Sequence, residues 1–295
     1  MVMNGLVLID KPGGCTSHDV VNRWRKLAQT KRVGHLGTLD PMATGLLALV
    51  TGQATRLAQF FGREEKTYEA EITLGVVSNT YDAEGDLAET STPVPNDRAV
   101  IVAALDRFRG RFMQTPPVVS AKKVGGVAAY KLARKQIAVE LAPVEVEVSE
   151  LKIAEISGSR IQLSITSSAG TYIRSIAHDL GQALGCGGLL SKLRRTKVGP
   201  FKVESARTIP ELEQLATEGR LQEAVLSSAN LLPQFPSEYV GINVEAQIRQ
   251  GRDFRTSPFS VPPGAPFVKA LSYSGELIAI GELRIPNIYH PSTVL

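Results

Sequence analysis

The sequence predicts an α+β protein that ends in a small all-β module. Over residues 1–232, alternating segments typical of strands and amphipathic segments typical of helices follow one another irregularly. Beyond the proline-containing segment 232–237, short apolar runs are separated by Gly and Pro, which favours β structure. The 295-residue length suits about two domains, so we expect one at 1–232 and a second at 238–295.

The N-terminal segment is predicted to form a strand, a turn and a helix. Leu6 to Asp10 is a short apolar run that ends at a Lys-Pro-Gly-Gly turn, and Thr16 or Ser17 can cap the helix that follows. A loop-like, glycine-rich segment comes next. The apolar run 46–50 fits either a helix or a strand, because its period alone does not separate the two.

The middle of the chain alternates between strand and helix signals. Residues 68–74 place apolar and polar side chains on opposite faces, which predicts a half-buried strand. We interpret the basic stretch around Leu193 as a helix. The same patterns predict helices at 97–109, 127–135, 172–184 and 208–215, strands at 144–153 and 160–166, and a long loop at 114–126.

The composition is typical of a globular protein. Hydrophobic residues make up 43% of the chain and charged residues 21%, and no apolar run approaches the roughly 18 residues that span a bilayer. The N-terminus does not match a signal peptide. Two cysteines, Cys15 and Cys186, cannot form a disulfide framework. We therefore expect reduced thiols, a cytoplasmic location and no membrane association.

Basic residues are distributed unevenly along the chain. Residues 1–60 hold seven Lys and Arg against three Asp and Glu, 111–135 hold six against none, and 191–207 hold six against one. Residues 61–110 hold five against ten. Basic blocks of this kind fit binding to a polyanion, although a charged run can equally be a solvated face. The candidate contacts to a phosphate backbone are Lys122, Lys123, Lys131, Arg194 and Arg195.

Several common chemistries have no motif here. The chain lacks a P-loop, a nucleophile elbow and an H-E-x-x-H zinc motif. Gly185 to Gly188 opens like a dinucleotide-binding turn but lacks the third glycine and follows a predicted helix. The four histidines are scattered, without acidic or cysteine residues at ligand spacing. We expect neither a metal nor a cofactor.

The most distinctive segment is Gly34 to Gly45, with the sequence GHLGTLDPMATG. Its glycines permit tight turns and close backbone approach. Pro41 keeps Asp40 in an extended conformation among leucines. A carboxylate in such surroundings either caps a turn or is kept ionised by a cation, and the local sequence leaves both open.

Five segments in order make the chain resemble pseudouridine synthases of the TruB type, which modify the T-loop of transfer RNA. Gly34 to Gly45 resembles the catalytic loop of that family. The other matching segments are GLVLIDKPGG at 5–14, Lys66-Thr67-Tyr68, GTYIRS at 170–175, and LGCGG at 184–188 followed by Leu193-Arg194-Arg195. The resemblance implies a pseudouridine-synthase fold, with a mixed, largely antiparallel central sheet flanked by helices. The last 60 residues resemble only weakly the PUA-like RNA-binding module of that family.

The resemblance also implies roles for individual residues. By its position in the motif, Asp40 matches the catalytic aspartate and Arg174 the arginine that pairs with it. Tyr68 matches the tyrosine that stacks on the target base, and His35 the histidine that fills the space left by the flipped nucleotide. The pocket lining would include Tyr172 and Leu193. Asp82 falls at a polar contact of the family, but Asn79 replaces the usual aspartate, so the sequence does not settle the role of this stretch.

The chemistry of uridine isomerisation suits these residues. The N-glycosidic bond breaks, the uracil rotates and C5 joins the sugar, so there is no net gain or loss of atoms. We expect a monomeric uridine-55 pseudouridine synthase that acts on the T-stem-loop of free tRNA. The alternatives are a catalytically silent tRNA-binding protein or RNA chaperone of the same fold, and a guide-RNA-dependent synthase. Because guide-dependent proteins usually carry additional terminal sequence, the stand-alone form is preferred.

Overall fold

The computed structural model describes residues 3–120, 122–124, 126–129, 132 and 141–295. Its larger sheet has ten strands among these residues, and eight of them lie side by side in the order β14-β1-β3-β12-β4-β11-β10-β7. They are β1 (Gly5–Lys11), β3 (Thr44–Thr51), β4 (Lys66–Leu74), β7 (Gly110–Gln114), β10 (Val144–Ser157), β11 (Arg160–Ser167), β12 (Gly188–Val198) and β14 (Val225–Ser227).

Two short strands pair with inner strands of this sheet, outside the order of eight. Among the described residues, two hairpins are separate from the sheet. Strand β2 (Val33–His35) pairs with β3, and β13 (Phe201–Lys202) pairs with β12. The separate hairpins are β5 (Val76–Ser78) with β6 (Leu87–Glu89), and β8 (Lys123–Val124) with β9 (Val127–Ala128). The sheet is mixed but largely antiparallel, as predicted, since β3 with β12 is its parallel pair.

The larger sheet is accompanied by helices α1 (Ser17–Leu27), α2 (Arg98–Asp106), α3 (Ile173–Ala183) and α4 (Ile209–Thr217). Thr16 caps α1 through a capping box with Asp19, and Asp97 caps α2. Short 3-10 helices lie at Gly52–Phe61, Val203–Ser205, Leu221–Ala224 and Ser228–Asn230. The predicted helices at 97–109, 172–184 and 208–215 are therefore present, with slightly different ends.

Apolar side chains pack on both faces of strands β1 and β3. One face joins the core formed with the helices, where Val7 and Leu47 lie with Trp24. The opposite face, with Leu6 and Leu46, packs against the 3-10 helix Gly52–Phe61. A strand buried on both faces has a continuous apolar run instead of an alternating one. This explains why the period of 46–50 did not distinguish strand from helix.

Residues 237–294 form a second sheet of five strands in the order β15-β17-β18-β19-β16. Its strands are β15 (Ser237–Val240), β16 (Phe254–Arg255), β17 (Phe267–Ser272), β18 (Leu277–Ile285) and β19 (Ile288–Val294). The sheet has its own apolar core, and a second group of its residues packs on the face of β1 and β3 that carries Leu6 and Leu46. It is accompanied by helix α5 (Ile242–Arg249), which the sequence analysis did not predict.

One other local prediction was wrong. The basic stretch around Leu193 is strand β12, because its alternating side chains pair with β4 across the sheet. The helix predicted at 127–135 begins later than expected: Val127–Ala128 is strand β9, Ala129 and Leu132 are helical, and the rest of 130–140 lies outside the described residues. Within the part of the chain that the structure describes, no helix is both long and apolar enough to cross a membrane.

Candidate active site

Asp40 lies in the loop between β2 and β3, and backbone contacts from the start of the chain hold that loop. The Pro41 carbonyl accepts hydrogen bonds from Gly14 N at 2.9 Å and from Lys11 Nζ at 3.1 Å. On the other side of Asp40, Ser17 Oγ donates to Leu39 O at 2.9 Å and accepts from Leu39 N at 2.8 Å. The residues adjoining Asp40 are thus fixed from both sides.

Lys11 is fully buried although it ends a strand beside a turn. Its ammonium donates to three carbonyl oxygens, those of Pro12, Cys15 and Pro41. Burial lowers the pKa of Lys11, and the negative charge of Asp40 is among the groups that act against this shift. From the sequence, Lys11 was predicted only as part of a turn, because its partners are carbonyls that no sequence pattern reveals.

Arg174, in the first turn of α3, contacts Asp40 with two nitrogens. Its Nε lies 2.9 Å from Asp40 Oδ2, and its Nη2 donates to Asp40 Oδ1 at 3.1 Å. The Arg174 side chain is only 5% exposed, whereas the Asp40 side chain is 33% exposed. Arg174 can therefore hold the carboxylate from its buried side while the carboxylate still faces open space, where a substrate could reach it.

Asp82 lies on the other side of the same guanidinium. Its Oδ2 is 3.3 Å from Arg174 Nη1, and its Oδ1 accepts from Thr80 Oγ1 at 2.6 Å. The Thr80 carbonyl in turn accepts from Arg174 Nη1 at 3.1 Å. Asp82 is buried, so one arginine serves two carboxylates and the three groups together carry a net negative charge.

The loop that carries Asp82 is held by its own side chains and by β12. Asn79 Nδ2 donates to Asp86 Oδ2 at 2.7 Å, and Asp86 N donates to Asn79 Oδ1 at 3.0 Å. The Leu190 amide donates to the Tyr81 carbonyl at 3.0 Å. At position 79 the amide of Asn79 can donate to a carboxylate, which an aspartate could not do when ionised. With Asn79 in place of the usual aspartate, this loop is closed by a hydrogen bond to Asp86 and avoids the repulsion of two carboxylates.

The pKa of Asp40 is governed by opposing influences. Burial raises this pKa, Arg174 lowers it, and the nearby charge of Asp82 raises it. Together they place the pKa of Asp40 above its ordinary value. A partly enclosed carboxyl would tend to take up a proton, so the guanidinium is the group that keeps Asp40 ionised. An anion held in this way can attack an electrophilic carbon or accept a proton.

The predicted pocket-lining residues lie on the elements that surround the loop. Tyr68 on β4 is 9% exposed and Leu193 on β12 is 8% exposed, and both belong to the same core as Leu39. Tyr172 immediately precedes α3, where its backbone exchanges two hydrogen bonds with the buried side chain of Gln114. Burial raises the pKa of the Tyr172 hydroxyl, and the charge of Arg174 opposes this.

His35 ends β2 at the protein surface. Its Nδ1 accepts a hydrogen bond from Gly37 N at 3.3 Å. Partial enclosure of the ring and the positive charge of Arg195 both lower the pKa of His35, which favours a neutral imidazole. The side chain therefore borders the same loop as Asp40 without adding a charge to it.

The structure separates the five candidate phosphate contacts into different groups. Lys131 and the side chain of Lys123 lie outside the described residues, and Lys122 is half-buried. Arg194 is 38% exposed and forms a bidentate ion pair with Asp10, at 3.0 and 2.7 Å. Arg195, in contrast, is 1% exposed and cannot reach a phosphate at the surface. Predicting Arg195 as a phosphate contact was wrong, because a basic block gives the charges but not their burial.

Comparison with known proteins agrees with this architecture. The model of the "TruB family pseudouridylate synthase (N terminal domain)" matches residues 25–173, and that of the "tRNA pseudouridylate synthase B C-terminal domain" matches 174–233. A protein of Solibacter usitatus named tRNA pseudouridine synthase B is 52% identical over 99% of this chain and 100% of its own length. One of Thermobifida fusca with the same name is 42% identical over 95% of each.

Solved structures give the same result for the fold. The chain in the "Crystal Structure of a Cbf5-Nop10-Gar1 Complex" is 26% identical, with a TM-score of 0.70 over 98% of this chain and 83% of that one. The chain in a "Structure of H/ACA RNP bound to a substrate RNA containing 2'-deoxyuridine" is 24% identical with the same TM-score. Family models, relatives and fold all agree: this chain belongs to the TruB family of pseudouridylate synthases.

Proposed function

We propose that the protein isomerises uridine-55 in the T-loop of tRNA to pseudouridine. The substrate class follows the names of its curated relatives, which are called tRNA pseudouridine synthase B at up to 52% identity. The observation that carries the proposal is the ion pair of Asp40 with Arg174. It presents a carboxylate that the guanidinium contacts on its buried side and that is open on the other.

In the proposed reaction Asp40 acts on the ribose. Its carboxylate either attacks the anomeric carbon as the N-glycosidic bond breaks, or removes a proton from the sugar. The detached uracil then rotates within the pocket and bonds to the sugar through C5, as the ester to Asp40 breaks or the abstracted sugar proton is returned. The proton originally on C5 leaves to solvent, and N1 takes up a proton from solvent. Tyr68 stacks on the base while it is detached, and Tyr172 and Leu193 line the pocket. Every atom of the uridine except that exchanged proton is retained, so the scheme needs no added group.

Access to the base requires it to leave the tRNA stack. Flipping a nucleotide costs about a few kcal/mol, which contacts to the phosphate backbone can offset. We assign these contacts to Lys122, Lys123, Lys131 and Arg194, and the filling of the vacated space to His35. The module at 238–295 would provide further RNA contacts. We further propose that the protein acts as a monomer on the T-stem-loop and, given this substrate, in the cytoplasm.

The direct test is nucleotide-resolution mapping of pseudouridine in tRNA incubated with the purified protein. We expect modification at position 55, and we expect Asp40→Asn to abolish turnover while substantial tRNA binding is retained. The substitution keeps the size of the side chain but removes the anion. A matched control is Asp106→Asn, which changes an exposed aspartate paired with Arg109 on the surface. It should leave turnover unchanged.

Two results would contradict the proposal. Turnover of Asp40→Asn within tenfold of the unmodified protein would remove Asp40 from the catalytic role. Binding of tRNA by the unmodified protein with no pseudouridine formed would instead favour a catalytically silent RNA-binding protein of the same fold.

A further inference from the structure

Arg195 is a buried cation with an unusual set of partners. Its side chain is among the largest of the fully buried ones. Within the part of the chain that the structure describes, it forms no ion pair with a carboxylate. Burying a charge without an opposite charge is unfavourable unless its hydrogen-bonding groups are satisfied. Packing alone therefore does not explain why a charged guanidinium is buried at this position.

The partners of Arg195 are backbone carbonyls at the two ends of the catalytic loop. Its Nη2 donates to Gly37 O at 3.0 Å and its Nη1 to Thr38 O at 3.3 Å, close before Asp40 in the sequence. Its Nε donates to Leu46 O at 2.8 Å, after Asp40. One planar group thus spans the segment that carries the carboxylate.

The backbone of Arg195 fixes the same segment. Arg195 lies opposite Gly45 in the parallel pairing of β12 with β3. The contact is so close that a Cβ at position 45 would lie 2.3 Å from the Arg195 carbonyl oxygen, and Gly45 has a φ of +96°. Only glycine fits such an approach without strain. Side chain and backbone of Arg195 therefore act on the same loop.

We infer that Arg195 is a positioning residue, which sets the place of Asp40 relative to Arg174 and makes no contact with RNA. This inference rests on the proposed function. The neighbouring Arg194 points to the other side of β12, where it is partly exposed and available to a phosphate. Two adjacent arginines of one basic block would then serve different steps, one fixing the catalytic loop and the other binding the substrate.

The test compares Arg195→Lys with Arg194→Gln in single-turnover assays at saturating tRNA. Lysine keeps the charge but has one nitrogen in place of the three that reach Gly37, Thr38 and Leu46. We expect the rate to fall about 10- to 100-fold, because small misplacements of a catalytic group have effects of that size. The dissociation constant for tRNA and its salt dependence should not change.

A second readout separates positioning from a general loss of stability. If the loop moves, Asp40 loses part of its contact with Arg174, so the acid limb of the pH profile of kcat/KM should move to higher pH. Arg194→Gln should leave that limb in place, weaken tRNA binding and lower the slope of log affinity against log salt by about 0.7–0.9. Arg220→Lys, a surface arginine paired with Glu218 and Glu223, is the control that should change nothing.

The unmodified protein provides a test that does not depend on how a variant folds. An arginine-specific dicarbonyl reagent, followed by mass mapping, should leave Arg195 unmodified with and without tRNA, whereas Arg194 should react and be protected by tRNA. The inference is overturned if Arg195 reacts and is protected by tRNA. It is equally overturned if folded Arg195→Lys retains the rate and pH profile of the unmodified protein, whether or not its salt slope falls. Inactivity of the unmodified protein would instead contradict the proposed function.

Discussion

Replacing Arg174 by alanine should raise the pKa of Asp40 and move the acid limb of the pH profile of kcat/KM to higher pH. Arg174 contacts the carboxylate of Asp40 at 2.9 and 3.1 Å. Burial and Asp82 both act to raise the pKa of Asp40, and Arg174 is the strongest influence in the other direction. Without the guanidinium, a higher pH is needed to ionise the carboxyl.

The size of the shift follows from the distances and the exposure. Two unit charges about 4 Å apart interact by about 4 kcal/mol at an effective dielectric constant of about 20. The Asp40 side chain is 33% exposed, so water screens part of this attraction. We therefore take about half, or about 2 kcal/mol, as the stabilisation of the ionised carboxylate that Arg174 supplies. Its loss should move the acid limb to higher pH by an amount that a pH–rate profile resolves.

The assay is release of tritium from C5-labelled uridine in tRNA, measured over a range of pH. Asp82→Asn is the matched variant, for which we expect a shift in the opposite direction. Removing that negative charge should lower the pKa of Asp40 and move the acid limb to lower pH. Arg174→Ala leaves Asp82 buried without its cation, a change that costs about 3–5 kcal/mol of stability. Both variants must therefore be assayed well below their unfolding temperatures.

An acid limb that stays in place in folded Arg174→Ala, with a near-normal rate, would refute the pairing. A shift of Asp82→Asn in the same direction as Arg174→Ala would refute the electrostatic explanation.

Three further outcomes are expected. Replacing Lys122, Lys123 and Lys131 by alanine should weaken tRNA binding and flatten the slope of log affinity against log salt by about two units, with a smaller loss of the rate at saturating tRNA; an unchanged slope in a folded triple variant would show that they only face water. Activity should survive exhaustive EDTA treatment, because the reaction only rearranges the uridine; a loss that a divalent ion reverses, with the tRNA still folded, would contradict this. Gly45→Ala should lower stability by about 1–3 kcal/mol or more in denaturant titrations, because its φ is +96° and Arg195 O leaves no room for a Cβ; an unchanged midpoint would count against that close contact.

Local patterns in the sequence were sufficient to predict many of the strands and helices. The alternation of 68–74 predicted β4, and Asp97 was correctly placed at the start of α2. The cap of α1 is Thr16, one of the two residues that the sequence offered. These signals depend on residues that are near one another in the chain, so they can be read without knowing the fold. The order of motifs likewise identified the family, and with it the loop of Asp40.

The sequence by itself determined the class of the fold, the family and the identity of the loop that carries Asp40. Only the tertiary structure decided how distant groups meet. Asp40 and Arg174 are 134 positions apart, and Arg195 reaches Gly37 across 158. A charge pattern states how many cations a segment has, but burial depends on which elements cover them. For that reason Arg194 and Arg195, indistinguishable in sequence, differ so much in exposure: β12 turns one toward solvent and the other under the loop that carries Asp40.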